Sequence, residues 1–364
     1  MKVGLFLMPT VDPEATLYEA TETVLDMIKV ADQLGYEEAW IGEHYTAKWE
    51  PIPSPDLVIA QALMQTNQIK LAAGAHLLPY HHPVELAQRL AYLDHLAKGR
   101  LMVGVAPGAV PTDWQMYHVD GKAGEHREMM AEALEIMFKI WTEEKPFSYK
   151  GKYWGASRPE PALNGLLDLH IKPYQTPHPP IGVAGSSANS STLKLAGQYG
   201  FLPMSLNVTP RSIASHWESV EEGAASSGKT ANRDDWKVAH HVLVADTDEE
   251  AKDLALNGMM GRSFNEYFYY LYQKGKMLSK FKHDDSVADE DVTAEYLIDH
   301  YWYVGSPETV AKKLDTLYEA SGGFGTLLVT GYDYGPDRAK FNHSLRLLKE
   351  EVVPRMKHQR KVTI

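Results

Sequence analysis

The sequence predicts an α/β fold: a single (β/α)8 TIM barrel with insertions on the C-terminal, active-site face. Three observations lead there. Eight short apolar runs alternate with longer segments of helical period. Most of these runs are apolar without alternation, as strands buried on both faces of a parallel sheet must be. Small, Gly-rich and His-bearing residues recur just after the runs, which is where barrel enzymes carry their function. The length of 364 residues suits one barrel plus insertions, since such barrels run to about 250 residues or more as one unit.

Taken in order, the strands are expected at Val3–Met8, Glu38–Ile41, Ile69–Ala75, Arg100–Val105, Ile181–Ala184, Phe201–Met204, Trp236–Val244 and Thr326–Thr330. The first run is too short for a signal-peptide core and lacks a cleavage site, so it reads as a buried strand. Amphipathic helices are expected at Thr16–Leu34, Val84–Leu96, Glu128–Trp141, Thr192–Tyr199, Ser212–Ala225 and Pro307–Ala320. Their starts carry suitable punctuation. Ser306-Pro307-Glu308 places Ser at a cap and Pro in the first turn, and Thr247-Asp248-Glu249-Glu250 sets acids on a positive helix end. Two segments break the rhythm: Glu143–Pro180, rich in Pro, Gly and aromatics, and Arg262–His300, which carries Tyr267, Phe268, Tyr269, Tyr270 and Tyr272. Long insertions in barrels usually sit on the active-site face as lids, and the aromatic run fits ordinary helix packing equally well. No repeat or linker divides the chain, so residues 1–364 read as one domain.

Composition removes several function classes. With no Cys there are no disulfides, thiolate metal sites or Cys nucleophiles. A net charge of -12 repels phosphate backbones and anionic lipids, which argues against nucleic-acid and membrane partners. No apolar run approaches the ~20 residues of a membrane span, and a cytoplasmic protein is expected.

Residues after the strands are the candidates for chemistry: Gly42-Glu43-His44-Tyr45, Gly74-Ala75-His76, Ala106-Pro107-Gly108, Gly185-Ser186-Ser187 and Ser205-Leu206-Asn207. Where Gly182–Ser190 leaves a strand for a helix, Gly185 lets backbone approach an oxyanion, and amides and Ser hydroxyls face it. That pattern fits a phosphate cradle and equally a well-capped turn. His44 and His76 lie at matching strand ends. Each could act as a base, as a donor to a ligand, or as a packed side chain. His81-His82-Pro83 and His240-His241 read as turn and strand residues, because adjacent His point apart on regular elements; no metal is expected. Gly223–Thr230 spells out the phosphate-loop pattern G-x-x-x-x-G-K-[ST] in full, yet it follows a helix instead of a buried strand. It therefore reads as a helix end and exposed turn, with Gly228 as the left-handed stop. No Gly-x-Gly-x-x-Gly opens a helix after the first strand, so there is no nicotinamide fingerprint.

Ile41-Gly42-Glu43-His44, then Leu77-Leu78-Pro79-Tyr80-His81-His82-Pro83, then Lys98-Gly99-Arg100, Gly305–Val310, Gly322–Gly325 and Glu351–Pro354 follow one another in an order that resembles the bacterial luciferase-like flavin monooxygenases. The likeness runs end to end. Glu43–Glu50 and Ala75–His81 are most similar to the diketocamphane monooxygenases, type II Baeyer–Villiger enzymes of terpenoid ketones. Limonene monooxygenase-like members are similar too, though less so around His76. The resemblance implies reduced FMN as co-substrate, delivered by a separate flavin reductase, together with O2, a small apolar substrate and a homodimer. It implies that Gly185, Ser186 and Ser187 hold the FMN phosphate, with Arg127 adding a cation. It implies that Gly74, Ala75, His76, Pro107 and Gly108 contact the flavin, with a cis bond at Gly74–Ala75 or Ala75–His76, and that His44 and His76 are catalytic. Luciferases carry a reactive Cys and then an Arg after the fourth strand. Here Ala106-Pro107 stands in that place, which removes light emission and leaves the phosphate more dependent on Arg127. Two rival readings use the same barrel: a flavin- or deazaflavin-dependent reductase, and a non-catalytic flavin-binding protein.

Overall fold

The computed structural model describes residues 1–357; the last stretch of the single-domain expectation, 358–364, lies outside them. The chain opens with β1 (Lys2–Thr10), α1 (Leu17–Gln33), β2 (Glu38–Ile41), α2 (Pro55–Leu63), β3 (Lys70–Leu77), α3 (Pro83–Ala97) and β4 (Leu101–Ala106). A short α4 (Pro111–Met116), the long α5 (Glu125–Thr142) and an antiparallel hairpin of β5 (Phe147–Lys150) and β6 (Gly155–Arg158) follow. β7 (Ile181–Gly185), α6 (Ser191–Tyr199), β8 (Leu202–Leu206), α7 (Ile213–Ser226) and β9 (Lys237–His240) resume the alternation. β10 (Val242–Val244) leads to α8 (Asp248–Asn257), α9 (Met259–Ser263), α10 (Tyr269–Lys274) and α11 (Ala294–His300). The chain then passes through β11 (Tyr303–Gly305), α12 (Pro307–Ser321), β12 (Thr326–Tyr332), α13 (Arg338–Leu347) and α14 (Val353–Arg355).

Eight parallel strands close the barrel in the order β1-β12-β9-β8-β7-β4-β3-β2. The helix ends follow the sequence punctuation. Thr16 and Glu19 form a reciprocal capping box at α1, and Ser306 caps α12 ahead of Pro307, with left-handed Gly322 as its stop. Inside the barrel, Phe6, Trp40, Met102, Met204 and Leu328 pack as one cluster, with Trp40 fully buried. A Cβ on Gly182 would come within 2.7 Å of the Trp40 ring, so glycine makes room for the indole. Below it, Lys237 and Glu38 pair at 2.8 Å, both buried, and the Trp40 indole N–H donates to the same carboxylate.

Two expectations are corrected. The run Trp236–Val244 is not one strand. It breaks at His241, whose backbone N–H goes to the His240 ring, and β10 leaves the barrel to pair in parallel with β11. The first insertion, 143–180, does not cover the active-site face. It joins a helix to a strand, so it must return to the strands' N-terminal ends. There Gln175 bonds Asp94 and the carbonyl of Leu101, the first residue of β4, while the turn of the β-hairpin packs on Glu132 of α5. The second insertion behaves as expected and lies over the C-terminal ends. α2 went unmarked in the sequence, because its triple Pro approach reads as loop and its periodicity is weak.

Candidate active site

A cavity of about 420 Å³ opens at the C-terminal ends of the barrel strands, within the range typical of small-molecule sites. Its floor is Trp40 with Gly74, Gly104 and Gly182, and its roof is Phe268, Leu271, Tyr272 and Met277 from the second insertion. Among the sequence candidates, Gly74, Ala75, His44, Pro107 and Gly108 line it. Glu43, Leu206 and Asn207, also read from strand ends, line it too. The peptide bond Gly74–Ala75 is cis, the first of the two bonds considered.

His44 reaches the cavity with both ring nitrogens buried and without a hydrogen-bond partner among the described residues. An unpaired buried imidazole costs free energy that a ligand would recover. His76 sits elsewhere: it is 1% exposed, off the cavity wall, with Nδ1 3.4 Å from Glu43 and short of a full hydrogen bond. Glu43 is the hub. Its carboxylate accepts from Tyr45 at 2.8 Å and from His81 Nε2 at 2.8 Å, and Arg89 stands 3.5 Å behind His81 at Nδ1. Burial disfavours the Glu43 charge, but the imidazoles of His76 and His81 outweigh it and hold the carboxyl at about 2. The ligand atoms of Glu43, His76 and His81 lie within 4.8 Å of one another, a spacing that would admit a cation. Arg89 next to Nδ1 instead places the His81 proton on Nε2, against the carboxylate, so His81, Glu43 and Tyr45 form a hydrogen-bonded chain, while His76 beside it has no hydrogen-bond partner among the described residues.

Glu50, also on the cavity wall and buried, accepts from Tyr267 of the second insertion at 2.9 Å. Arg262 pairs with Asp12 at 2.5 Å and lies over Trp49, which stacks on Tyr267. These contacts fasten the aromatic roof to the barrel rim.

Gly185, Ser186 and Ser187 lie beyond the cavity at the start of α6, where Ser190 caps the helix. A Cβ on Gly185 would strike Ser190 Oγ at 2.3 Å, so only glycine leaves this turn open. The sequence reading missed the cation here. Lys280, half-buried with its pKa lowered by burial, donates to Ser186 Oγ at 3.3 Å. Arg127 is exposed in the first turn of α5 and makes no hydrogen bond to Ser186 or Ser187 among the described residues. Lys280 sits in the insertion, far from any motif, and no sequence signal would have marked it. The phosphate-loop text at 223–230 is the end of α7 and a turn: Gly228 is left-handed, and Lys229 Nζ bonds the Gln198 carbonyl.

Comparison with known proteins agrees with this geometry. The luciferase-like monooxygenase family model matches residues 1–323. The chain is 36% identical to 3,6-diketocamphane 1,6-monooxygenase of Pseudomonas putida, covering 98% of each chain. It is 30% identical to limonene 1,2-monooxygenase of Rhodococcus erythropolis, over 96% of this chain and 85% of that one. The solved structure of the oxygenating constituent of 3,6-diketocamphane monooxygenase from P. putida, a type II Baeyer–Villiger monooxygenase in complex with FMN, superposes with a TM-score of 0.92. It covers 99% of this chain and all of that one.

Proposed function

The chain belongs to the luciferase-like monooxygenases, and from that membership we propose that it oxygenates a small apolar ketone with reduced FMN and O2 in a Baeyer–Villiger reaction. It is an FMN-dependent monooxygenase. The observation that carries the ketone reading is the cavity: apolar walls, a roof of aromatic residues, and an unpartnered buried imidazole at His44.

The residues fit the cofactor. The open turn at Gly185, the hydroxyls of Ser186 and Ser187 and the ammonium of Lys280 would hold the phosphate. Exposed Arg127 can add charge from the solvent side. Gly74, Ala75, Pro107 and Gly108 offer small surfaces for the flat ring. When bound, reduced FMN supplies two electrons to O2, one oxygen atom entering the substrate and the other leaving as water. The protein's part is to bind, orient and keep water out. The roof excludes bulk water. His44 stands ready to stabilise negative charge on oxygen. Glu43, fixed by Tyr45 and His81, stays ionised behind it. His76, which faces Glu43, acts through that carboxylate.

A separate reductase supplies the reduced flavin. In support, the sequence has no nicotinamide fingerprint, and the FMN-bound relative is the oxygenating constituent of 3,6-diketocamphane monooxygenase. That dependence suits a cytoplasmic setting; among the described residues no helix is long and apolar enough to cross a membrane. A homodimer is supported by exposed Leu57 and Met64 on α2 and at its end, beside exposed Tyr92 and Leu96 on the neighbouring α3. The test is to supply chemically reduced FMN, a bicyclic ketone and ¹⁸O2, without any reductase. A lactone carrying one labelled atom is expected. Oxidation of the flavin with no labelled organic product would overturn the proposal.

A further inference from the structure

The pair His240-His241 is left over from the sequence, and the structure separates its members. His240 is fully packed: Nε2 donates to the Val208 carbonyl at 2.9 Å, and Nδ1 accepts the His241 backbone N–H. His241 comes just after β9 on the cavity wall. Around it stand Tyr301, Trp302 and Tyr332, and the roof residues Phe268 and Tyr272.

The position of its proton can be worked out. His241 Nδ1 and Tyr332 Oη are 2.5 Å apart. Tyr332 is 2% exposed, and its hydroxyl hydrogen must find an acceptor. Nδ1 of His241 is the acceptor the structure provides, so the phenol donates to it. The ring proton then resides on Nε2. That nitrogen keeps accessible surface and has no partner among the described residues. Burial also keeps the ring neutral near pH 7, its pKa pushed down to about 4. The result is an uncharged N–H donor, fixed in direction, on the cavity wall. Of the other polar groups on this wall, the Thr10 hydroxyl donates to the Met8 carbonyl and the Asn207 amide oxygen accepts from Tyr301, while the Thr330 hydroxyl beside His241 is a freely rotating donor with no fixed direction. His44 differs in that nothing fixes its tautomer.

We propose that His241, its tautomer set by Tyr332, is the donor that receives the substrate's carbonyl oxygen and so selects ketones over hydrocarbons of the same shape. The hydrocarbon skeleton then rests against Phe268, Leu271 and Tyr272. A buried donor left unpaired by a hydrocarbon penalises it, which is how such a site discriminates. The proposal rests on the ketone reading of the cavity and adds the residue that enforces it.

The test is equilibrium binding to the full chain, without turnover. Norcamphor is compared with 2-methylenenorbornane, in which a CH2 group replaces the carbonyl oxygen, in the presence of oxidised FMN. The parent should prefer the ketone by about tenfold, the worth of one net hydrogen bond. In His241→Leu the ketone oxygen loses its donor and the ratio should fall to about one or below, while FMN affinity stays within about twofold. In His241→Gln, which restores an N–H, preference should partly return. Because His241→Leu strands the Tyr332 hydroxyl, His241→Leu/Tyr332→Phe removes both polar groups together and protects folding. A parent with no preference for the ketone would overturn the ketone reading and this proposal with it. A parent preference that survives in the double variant would overturn the role of His241 alone.

Discussion

Glu43→Gln changes one atom and removes the charge around which this side of the site is built. The side chain has no exposure, so no solvent screening reduces its contribution. The carboxyl sits at about 2 in the folded chain. Against about 4.3 in an unfolded chain, that difference contributes about 3 kcal/mol of stability near neutrality. The sign follows from the depressed value: the contribution is complete above about pH 4.3 and is lost as pH falls toward 2. A neutral Gln cannot provide it. Tyr45 and His81 donate to the same carboxylate oxygen, so the Gln carbonyl can keep both while its amide N–H turns toward His76, and the loss is of charge rather than of those two hydrogen bonds. Urea unfolding of parent and variant at a series of pH values reads the effect directly. The gap between the two curves should be about 3 kcal/mol at pH 7 and should close between pH 4.3 and about 2. A gap that is constant over that range would refute an ionised, imidazole-held Glu43. Its catalytic consequence should be milder than that of His44 loss, since Glu43 acts by holding neighbours in place.

Other perturbations separate the parts of the site. Ser186→Ala/Ser187→Ala should weaken reduced-FMN binding roughly 10- to 150-fold per lost charged bond; a fluorescence titration matching the parent would place the phosphate elsewhere. Lys280→Ala should weaken it as well and flatten its salt dependence, whereas Arg127→Ala should have the smaller effect, and the reverse ranking would return the cationic role to Arg127. His44→Ala should cut oxygenated product by about 100-fold or more while sparing FMN affinity; normal yield with a lowered melting temperature would make His44 structural. Leu57→Asp/Leu96→Asp should give a monomer by sedimentation, and an unchanged dimer would move the interface off α2 and α3.

The barrel was legible because its strands are short, apolar and evenly interrupted, and because buried parallel strands need no alternation to be recognised. The strand ends were legible for the same reason: once Glu38–Ile41 is a strand, Glu43 and His44 must emerge at its top. What sequence order could not supply was contact between segments distant in the chain. His81 meets Glu43 only because α3 starts beside β2's end, and Lys280 meets Ser186 across 94 positions. The insertion at 143–180 was misplaced for a different reason. Its aromatic, Pro-rich composition looks like a lid, but a helix-to-strand connection returns to the wrong end of a barrel to be one. His241 was read as an ordinary strand residue, and its role emerges only from the break in the strand, which aims consecutive imidazoles at different partners.

That break also explains how one wall can serve two needs. A continuous strand through His241 would have kept it in the β-ladder and carried Val242–Val244 along the barrel. Leaving the ladder sends β10 outward to β11, which brings Tyr301 and Trp302 in behind the imidazole. The same departure places Tyr332, the last residue of β12, at hydrogen-bond distance from Nδ1. An apolar pocket gives hydrocarbon affinity but little discrimination, since a missing polar atom costs nothing there. One neutral donor with a fixed proton supplies discrimination without bringing in a charge that would draw water. Tyr332→Phe isolates that last point. It keeps the imidazole and the packing but frees the tautomer, so ketone preference should weaken while affinity for 2-methylenenorbornane stays the same. Equal loss of affinity for both ligands would mean that Tyr332 acts through packing alone.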